Sequence, residues 1–145
     1  MKRDENMHLE HQFIRSYVKL HRPLVNQLNK LLLHYDLYNA QWTILSLLSR
    51  KGEMTSGEIA EEQMMEKPSV TNVVKRLHEI GYIEVTQGQD KRQRLLKLSS
   101  EGEQITKEIQ EKLIPVYEQI LTGIPEKDIQ AAKELLDQAY NNLTH

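Results

Sequence analysis

The chain of 145 residues contains no cysteine. It therefore has no disulfide, no redox-active thiol and no thiolate ligand for zinc. No apolar run approaches the roughly 20 residues of a transmembrane helix. The charged first residues lead into no apolar secretion core, so the expected location is the cytoplasm. Glycine-rich phosphate loops, nucleophile elbows and paired catalytic carboxylates are also missing, which argues against an enzyme, and no cofactor is expected.

The net charge of -2 at pH 7 gives the chain no overall basic character. The positive residues are concentrated, however. Seven Lys or Arg and three acids lie between Lys67 and Lys97, a local excess of four positive charges. Neutralisation of phosphates controls affinity for nucleic acid, so this local excess matters more than the total. The pattern predicts one basic surface on an otherwise acidic chain.

Residues 55–80 have the pattern of two short helices joined by a tight turn. Thr55 and Glu58 have the spacing of a capping box at a helix start. Pro68 suits the first turn of a second helix, and Gly81 ends that helix. One face of the second helix is apolar and the other is polar, as in a helix-turn-helix, whose second helix meets base edges in the major groove. Its candidate DNA contacts are Ser69, Thr71, Asn72, Lys75 and Arg76.

Two β-prone runs follow, 82–86 and 95–98, and a polar loop with Gly88 joins them. Three cations crowd the tip of this predicted hairpin: Lys91, Arg92 and Arg94. A narrow A·T-rich minor groove has an enhanced negative potential that attracts an inserted arginine. A hairpin beside a helix-turn-helix is a wing, and these cations are its candidate DNA contacts.

Residues 55–98 resemble the winged helix of the MarR family of bacterial transcription regulators. The matching pieces are PSVTNVVKRLHEIGYI, the Asp90-x-Arg92 pair, and Leu98-Ser99 followed by Gly102. The family usually carries threonine where Ser99 stands, and serine also caps a helix. The resemblance implies that Arg92 enters the minor groove. It also implies that Asp90 orients the wing through an ion pair with Arg92 or Arg76.

Long amphipathic patterns flank this region. Apolar residues recur at helical spacing over 9–35, and again over 105–120 and 129–143. Pro23 is predicted to kink or split the first helix, and Ser99 or Ser100 to cap the helix after the wing. These helices carry more apolar surface than a small winged helix covers, so a second copy is the expected partner.

The resemblance implies the same dimer, since MarR proteins dimerise through their N- and C-terminal helices. We therefore expect one domain over 1–145, with a winged helix at 37–98 and dimerisation helices at 8–35 and 99–145. Two recognition helices related by a two-fold axis would meet half-sites roughly 10 base pairs apart in a near-palindromic operator.

MarR-like proteins often bind aromatic effectors between the dimer helices and the winged helix. The candidate pocket residues here are Tyr17, His21, Tyr35, Tyr38 and Trp42, for which ordinary core packing is the alternative. Four histidines precede residue 35, but no further ligand completes a set at fixed spacing, so no metal site is expected.

The expected fold is mostly α, with a small β-hairpin wing and a helical dimerisation region. The expected function is that of a sequence-specific regulator of transcription that binds double-stranded DNA, a dimeric repressor released by a small aromatic effector. The alternative is a winged-helix module that binds another protein, which the acidic total charge permits.

Overall fold

Helices dominate the computed structural model, which describes residues 8–90 and 92–145. The α-helices are α1 (Leu9–Leu32), α2 (Asn39–Lys51), α3 (Ser56–Gln63), α4 (Lys67–Ile80), α5 (Ser100–Ile120) and α6 (Glu126–Thr144), with a short 3-10 helix at Leu33–Tyr35. The strands are β1 (Met54–Thr55), β2 (Ile83–Gln87) and β3 (Arg94–Leu98). The predicted fold class is confirmed.

The strands form one antiparallel sheet in the order β1-β3-β2. Strands β2 and β3 pair from Ile83 opposite Leu98 to Gln87 opposite Arg94, and they form the predicted wing. Strand β1 adds Met54 opposite Leu96. Sequence reasoning missed β1, because two residues are too short to show an alternating pattern.

The core lies among the end of α1, α2, α3, α4 and the sheet. Helix α2 contributes buried side chains from most of its sides, and Ile44, Leu45 and Leu47 are fully buried. The other fully buried apolar side chains include Leu32, Leu37, Ile59, Val70, Leu77, Leu96 and Ile109. The recognition helix and the wing are therefore held on one apolar scaffold.

Local signals at the helix ends are largely confirmed. The Glu58 N–H donates to Thr55 Oγ1 at 3.1 Å, and the Thr55 N–H donates to Glu58 Oε1 at 3.2 Å. Gly81 ends α4 with φ of 95°, a left-handed conformation that favours glycine. Ser99, and not Ser100, caps α5, since its Oγ accepts from the Gly102 N–H at 3.0 Å.

The predicted split at Pro23 is wrong, because α1 continues through it from Leu9 to Leu32. A proline removes the bond to the carbonyl four residues earlier, here that of Lys19. Pro23 and Lys19 are both exposed, and a carbonyl on an exposed helix face is able to bond to solvent. Helix α5 likewise continues through exposed Pro115.

Of the described residues, those from His8 to Glu111 form one compact unit and those from Lys112 form a second, with α5 contributing to both. In the first unit, the N-terminal half of α1 leaves its apolar stripe exposed: Leu9, Phe13, Tyr17 and Leu20 are 40–75% exposed. In the second unit, α6 has no buried residue. Its exposed apolar side chains include Leu135, Leu136, Tyr140 and Leu143. Within the described residues, no helix is both long and apolar enough to span a bilayer.

Candidate nucleic-acid interface

Helix α4 is anchored by one face and exposed on the other. Val70 and Leu77 are fully buried, and they hold the helix against the core. All five predicted contact residues are exposed: Ser69, Thr71, Asn72, Lys75 and Arg76. The structure therefore brings the predicted recognition residues together on one outward surface of α4.

These five side chains differ in whether they already form hydrogen bonds or ion pairs within the protein. The Thr71 hydroxyl donates to the Lys67 carbonyl at 3.0 Å, which leaves it chiefly an acceptor. Arg76 Nη1 lies 3.9 Å from Glu79 Oε2, and both side chains are about half exposed, so the pair is weak. Among the described residues, Ser69, Asn72 and Lys75 have no side-chain hydrogen bond or ion pair.

The wing tip is closed by its own backbone. The Gly88 N–H donates to the Gln93 carbonyl at 2.9 Å, and the Gln93 N–H donates to the Asp90 carbonyl at 2.9 Å. The Asp90 carboxylate accepts from the Arg92 N–H at 3.1 Å. This bond two residues ahead is the usual role of aspartate in a turn.

The predicted ion pair of Asp90 is therefore replaced by a bond to the backbone. Between described residues, no ion pair involves Asp90, and Arg76 pairs with Glu79 instead. The physical reason is the tightness of the loop, which turns the carboxylate toward the chain itself. Asp90 contributes to the shape of the wing, and among the described residues the Arg92 guanidinium has no acidic partner.

Two of the three predicted wing cations are exposed near the tip of the hairpin. Arg92 is exposed in the loop, and Arg94 is exposed as the first residue of β3. Lys91 lies outside the described residues. Lower on the wing, Lys97 Nζ lies 3.8 Å from Glu84 Oε2 across the two strands. On the described part of the wing, the cations without acidic partners are therefore Arg92 and Arg94, near the tip.

The Leu98-Ser99 motif and Gly102 have a structural role where α5 begins. The Ser99 hydroxyl donates to the Gly81 carbonyl at 2.6 Å, and the Ser99 N–H donates to the Tyr82 carbonyl at 3.0 Å. A Cβ at Gly102 would overlap the Tyr82 carbonyl oxygen. This is a close approach that only glycine permits. The motif thus fastens α5 to the end of α4 and the root of the wing.

Tyr82 is a residue that sequence reasoning missed. Its hydroxyl donates to the Tyr35 carbonyl at 3.1 Å in a buried contact. Burial raises the pKa of Tyr82, and the negative charges of Glu101 and Asp36 raise it further. The only sequence signal was an aromatic residue directly after Gly81, which does not reveal a partner 47 positions away.

The five candidate pocket residues have different environments. Tyr35 and Trp42 are buried, and the Tyr35 hydroxyl donates to Glu108 Oε1 at 3.0 Å. Tyr17, His21 and Tyr38 are exposed. A cavity of about 370 Å³ near the ends of α2 and β3 is lined by none of them. The effector pocket therefore stays a prediction. In the described parts of the chain, no three His, Asp or Glu side chains group as metal ligands.

Comparison with known proteins identifies the family. The model of the MarR family matches residues 37–93. The chain is 35% identical over 130 residues to the uncharacterized HTH-type transcriptional regulator YwoH of Bacillus subtilis (strain 168), which covers 90% of this chain and 92% of YwoH. The chain belongs to the MarR family.

Solved structures agree with the MarR fold. A Staphylococcus aureus MarR in complex with salicylate and kanamycin superposes with a TM-score of 0.86 at 25% identity, over 93% of this chain and 92% of that one. The S. aureus MepR–DNA complex gives a TM-score of 0.78 at 18% identity, over 91% of this chain and 98% of that one.

The resemblance read from the sequence is thus confirmed. As a MarR-family protein with a helix-turn-helix, this chain is a DNA-binding transcriptional regulator. The expectation that it is not an enzyme is confirmed by the same membership.

Proposed function

We propose that this MarR-family protein is a dimeric repressor that binds a near-palindromic operator and is released by a small aromatic effector. One observation carries the proposal. The exposed polar face of α4 and the exposed arginines of the wing tip extend from a single buried scaffold. The polar face of α4 contacts bases or phosphates in a major groove, while the arginines of the wing tip enter the adjoining minor groove.

The side chains suggest a division of labour on α4. The side chains of Ser69 and Asn72 have no hydrogen bond to other described residues, so they bind a base edge without first breaking a bond within the protein. Lys75 and Arg76 suit phosphates or guanine. Thr71 offers an acceptor. On the wing, Arg92 enters the minor groove while Lys91 and Arg94 bind the flanking phosphates, and Asp90 shapes the loop.

The dimer follows from the apolar stripes of α1 and α6. In the single chain these side chains are exposed to water, which opposes their exposure at about 25 cal/mol per Å² of apolar surface. A second copy buries them and places two winged helices (residues 37–98) on one duplex. In this proposal the helices within 8–35 and 99–145 form the dimer. The DNA complex of the similarly folded MepR supports this use of the fold.

The effector is the least constrained part of the proposal. A similar S. aureus MarR was solved with salicylate, an aromatic acid, which supports an aromatic ligand here. Trp42 is the single tryptophan of the chain. Titration with aromatic acids should therefore change its fluorescence and release the operator at the same concentrations. If release occurs without any change at Trp42, the five residues named above are not the pocket.

The deciding experiment is selection of bound duplexes from random DNA, followed by gel-shift titration at several salt concentrations. We expect a near-palindrome with half-sites roughly 10 base pairs apart, and an affinity that falls steeply with salt. Equal, weak binding to every duplex would contradict sequence-specific regulation. A stoichiometric protein partner without DNA affinity would favour the interaction-module alternative instead.

A pair of substitutions on α4 tests its division of labour. Asn72→Ala should change preference at one base pair, by about 1–3 kcal/mol. Lys75→Ala, its matched control, should weaken binding to all sequences alike and reduce the salt slope by about 1. An unchanged site preference in Asn72→Ala would remove Asn72 from base recognition.

A further inference from the structure

The C-terminal end of α4 and the root of the wing meet at two adjacent residues, Gly81 and Tyr82. Gly81 ends the recognition helix, and β2 begins directly after Tyr82, at Ile83. Any displacement at this point moves both elements that carry the proposed DNA contacts. We therefore considered which residues hold it.

Helix α5 holds this point from one side. The Ser99 hydroxyl donates to the Gly81 carbonyl at 2.6 Å and accepts from the Gly102 N–H at 3.0 Å. The Ser99 N–H donates to the Tyr82 carbonyl at 3.0 Å. Gly102 lies so close to that carbonyl that no side chain fits. Ser99 thus links the two residues at the end of α4 to the first turn of α5.

The end of α1 holds the same point from another side. The Tyr82 hydroxyl donates to the Tyr35 carbonyl at 3.1 Å, and Tyr35 follows α1 in the 3-10 helix. The Tyr35 hydroxyl in turn donates to Glu108 of α5 at 3.0 Å. These bonds form a closed circuit through the winged helix, the end of α1 and α5. We call the five residues Tyr35, Gly81, Tyr82, Ser99 and Gly102 the junction.

Apolar packing also holds α4 and the wing close to the junction. Leu77, Ile83 and Leu96 are buried beside it and supply apolar packing for α4 and the wing. Burial is non-directional, whereas hydrogen bonds lose strength steeply away from their preferred angle and distance. The bonds of the junction therefore add a defined orientation, and they do so between the winged helix and the helices that we propose form the dimer.

We propose that Ser99 and Tyr82 are positioning residues that hold each winged helix at one orientation against α1 and α5, so that the dimer accepts one operator spacing. Neither residue touches DNA. They act on DNA binding only through the distance between the two recognition helices. The inference rests on the proposed function, because it requires a dimer that binds two half-sites.

The test compares variants on duplexes whose half-site separation is varied around the preferred value, and on a duplex with a single half-site. Tyr82→Phe keeps the ring and removes the bond to Tyr35, and Ser99→Ala removes the bond to Gly81. Ser99→Thr keeps a hydroxyl and serves as the rescue. Ser100→Ala, which removes the neighbouring exposed hydroxyl at the start of α5, is the matched control.

We expect the preference for one spacing to fall about threefold to tenfold in Tyr82→Phe and Ser99→Ala, the effect of one net hydrogen bond. Their affinity for the single half-site should stay unchanged, and Ser99→Thr should regain the wild-type preference. A merely structural role would lower affinity for every duplex by one factor. That result, or an unchanged spacing preference, would overturn the inference.

Failure of the proposed function gives a different result. A wild-type protein with no preference among duplexes would overturn that function and the inference with it. A wild-type protein with a sharp spacing preference that Tyr82→Phe retains would overturn the inference alone. Circular dichroism and thermal unfolding establish which variants are folded. If Ser99→Ala unfolds, Tyr82→Phe decides, since its ring still fills the buried site.

Discussion

Helices α2 and α6 occupy opposite extremes of burial in the same chain. Helix α2 has 13 residues, and five of them are buried: Trp42, Ile44, Leu45, Leu47 and Leu48. Helix α6 has 19 residues and none is buried, although leucines recur along it. The winged helix therefore completes its core within one chain, while α6 and the first half of α1 leave apolar side chains exposed. We propose that the first region carries recognition and that the second carries assembly.

The largest effect is expected from a charge introduced on the exposed apolar face of α6. Leu136 is 43% exposed on α6, and Leu136→Asp should convert the proposed dimer to a monomer that keeps its helical content. Loss of the second, linked half-site should weaken operator binding about 10²–10⁴-fold. Light scattering after gel filtration and gel-shift titration measure the two effects.

Asn141→Asp is the matched control for that substitution. It adds the same charge to the same helix, five positions along and on the far side. It should leave the oligomeric state unchanged. A Leu136→Asp protein that remains dimeric would show that α6 is not part of the interface, and would remove half of the comparison.

A cavity in the finished core should act on stability and not on assembly. Leu77 is fully buried, and Leu77→Ala should lower the free energy of unfolding by about 2–5 kcal/mol. Urea unfolding followed by circular dichroism measures it. Leu33→Ala, at a site 54% exposed, should change stability by no more than about 0.5 kcal/mol. Equal losses at both sites would contradict the proposed contrast in packing.

The wing tip should affect binding without affecting either core or dimer. Arg92→Ala should weaken the operator complex by about 1–3 kcal/mol, because it removes the guanidinium proposed to enter the minor groove. Gel-shift titration on A·T-rich and G·C-rich versions of the wing's target gives the measurement. Arg50→Ala removes an exposed cation at the end of α2 and is the control. An identical loss in both variants would reduce the role of Arg92 to general charge.

The smallest effect concerns the alkaline stability of the winged helix. Burial, with the charges of Glu101 and Asp36, raises the pKa of Tyr82 above its ordinary 10.0. The unfolded chain therefore ionises this hydroxyl first. The contribution of the neutral Tyr82 hydroxyl to the free energy of unfolding is therefore complete below pH 10.0. It is lost as the pH rises through the folded-state pKa of Tyr82.

Tyr82→Phe should consequently be less stable than wild type near neutral pH, by about 1 kcal/mol for the lost bond. The difference should narrow in strong alkali, where wild type loses that contribution and phenylalanine has none to lose. Urea unfolding at a series of pH values measures the convergence, with Tyr38→Phe, at an exposed side chain, as the control. A constant gap at all pH values would show that ionisation of Tyr82 is not coupled to unfolding.

Local rules in the sequence predicted the helix ends and the outward face of α4 well. The Thr55–Glu58 capping box and the stop at Gly81 depend on neighbours within four residues, so sequence spacing is sufficient. The periodicity that buries Val70 and Leu77 also places Asn72 and Lys75 outside. Helical periodicity also revealed the apolar faces of α1 and α6, which carry more apolar residues than a small winged helix covers.

One contact between distant residues was missed, and two local features were mispredicted. The bond between Tyr82 and Tyr35 joins residues far apart in the chain, and no local pattern reveals it. An ion pair of Asp90 with Arg92 or Arg76 was predicted, whereas the carboxylate accepts from the nearer Arg92 backbone N–H. Pro23 was predicted to kink or split the first helix, and the split is wrong because α1 continues from Leu9 to Leu32.

The self-closed tip of the wing has a consequence for selectivity. Three bonds within residues 88–93 shape this loop before any duplex arrives. A loop that is already ordered gains affinity because binding costs it little conformational entropy, but it adapts poorly to a groove of another shape. Such a wing would bind weakly to DNA whose minor groove is too wide, even where the base edges are the same.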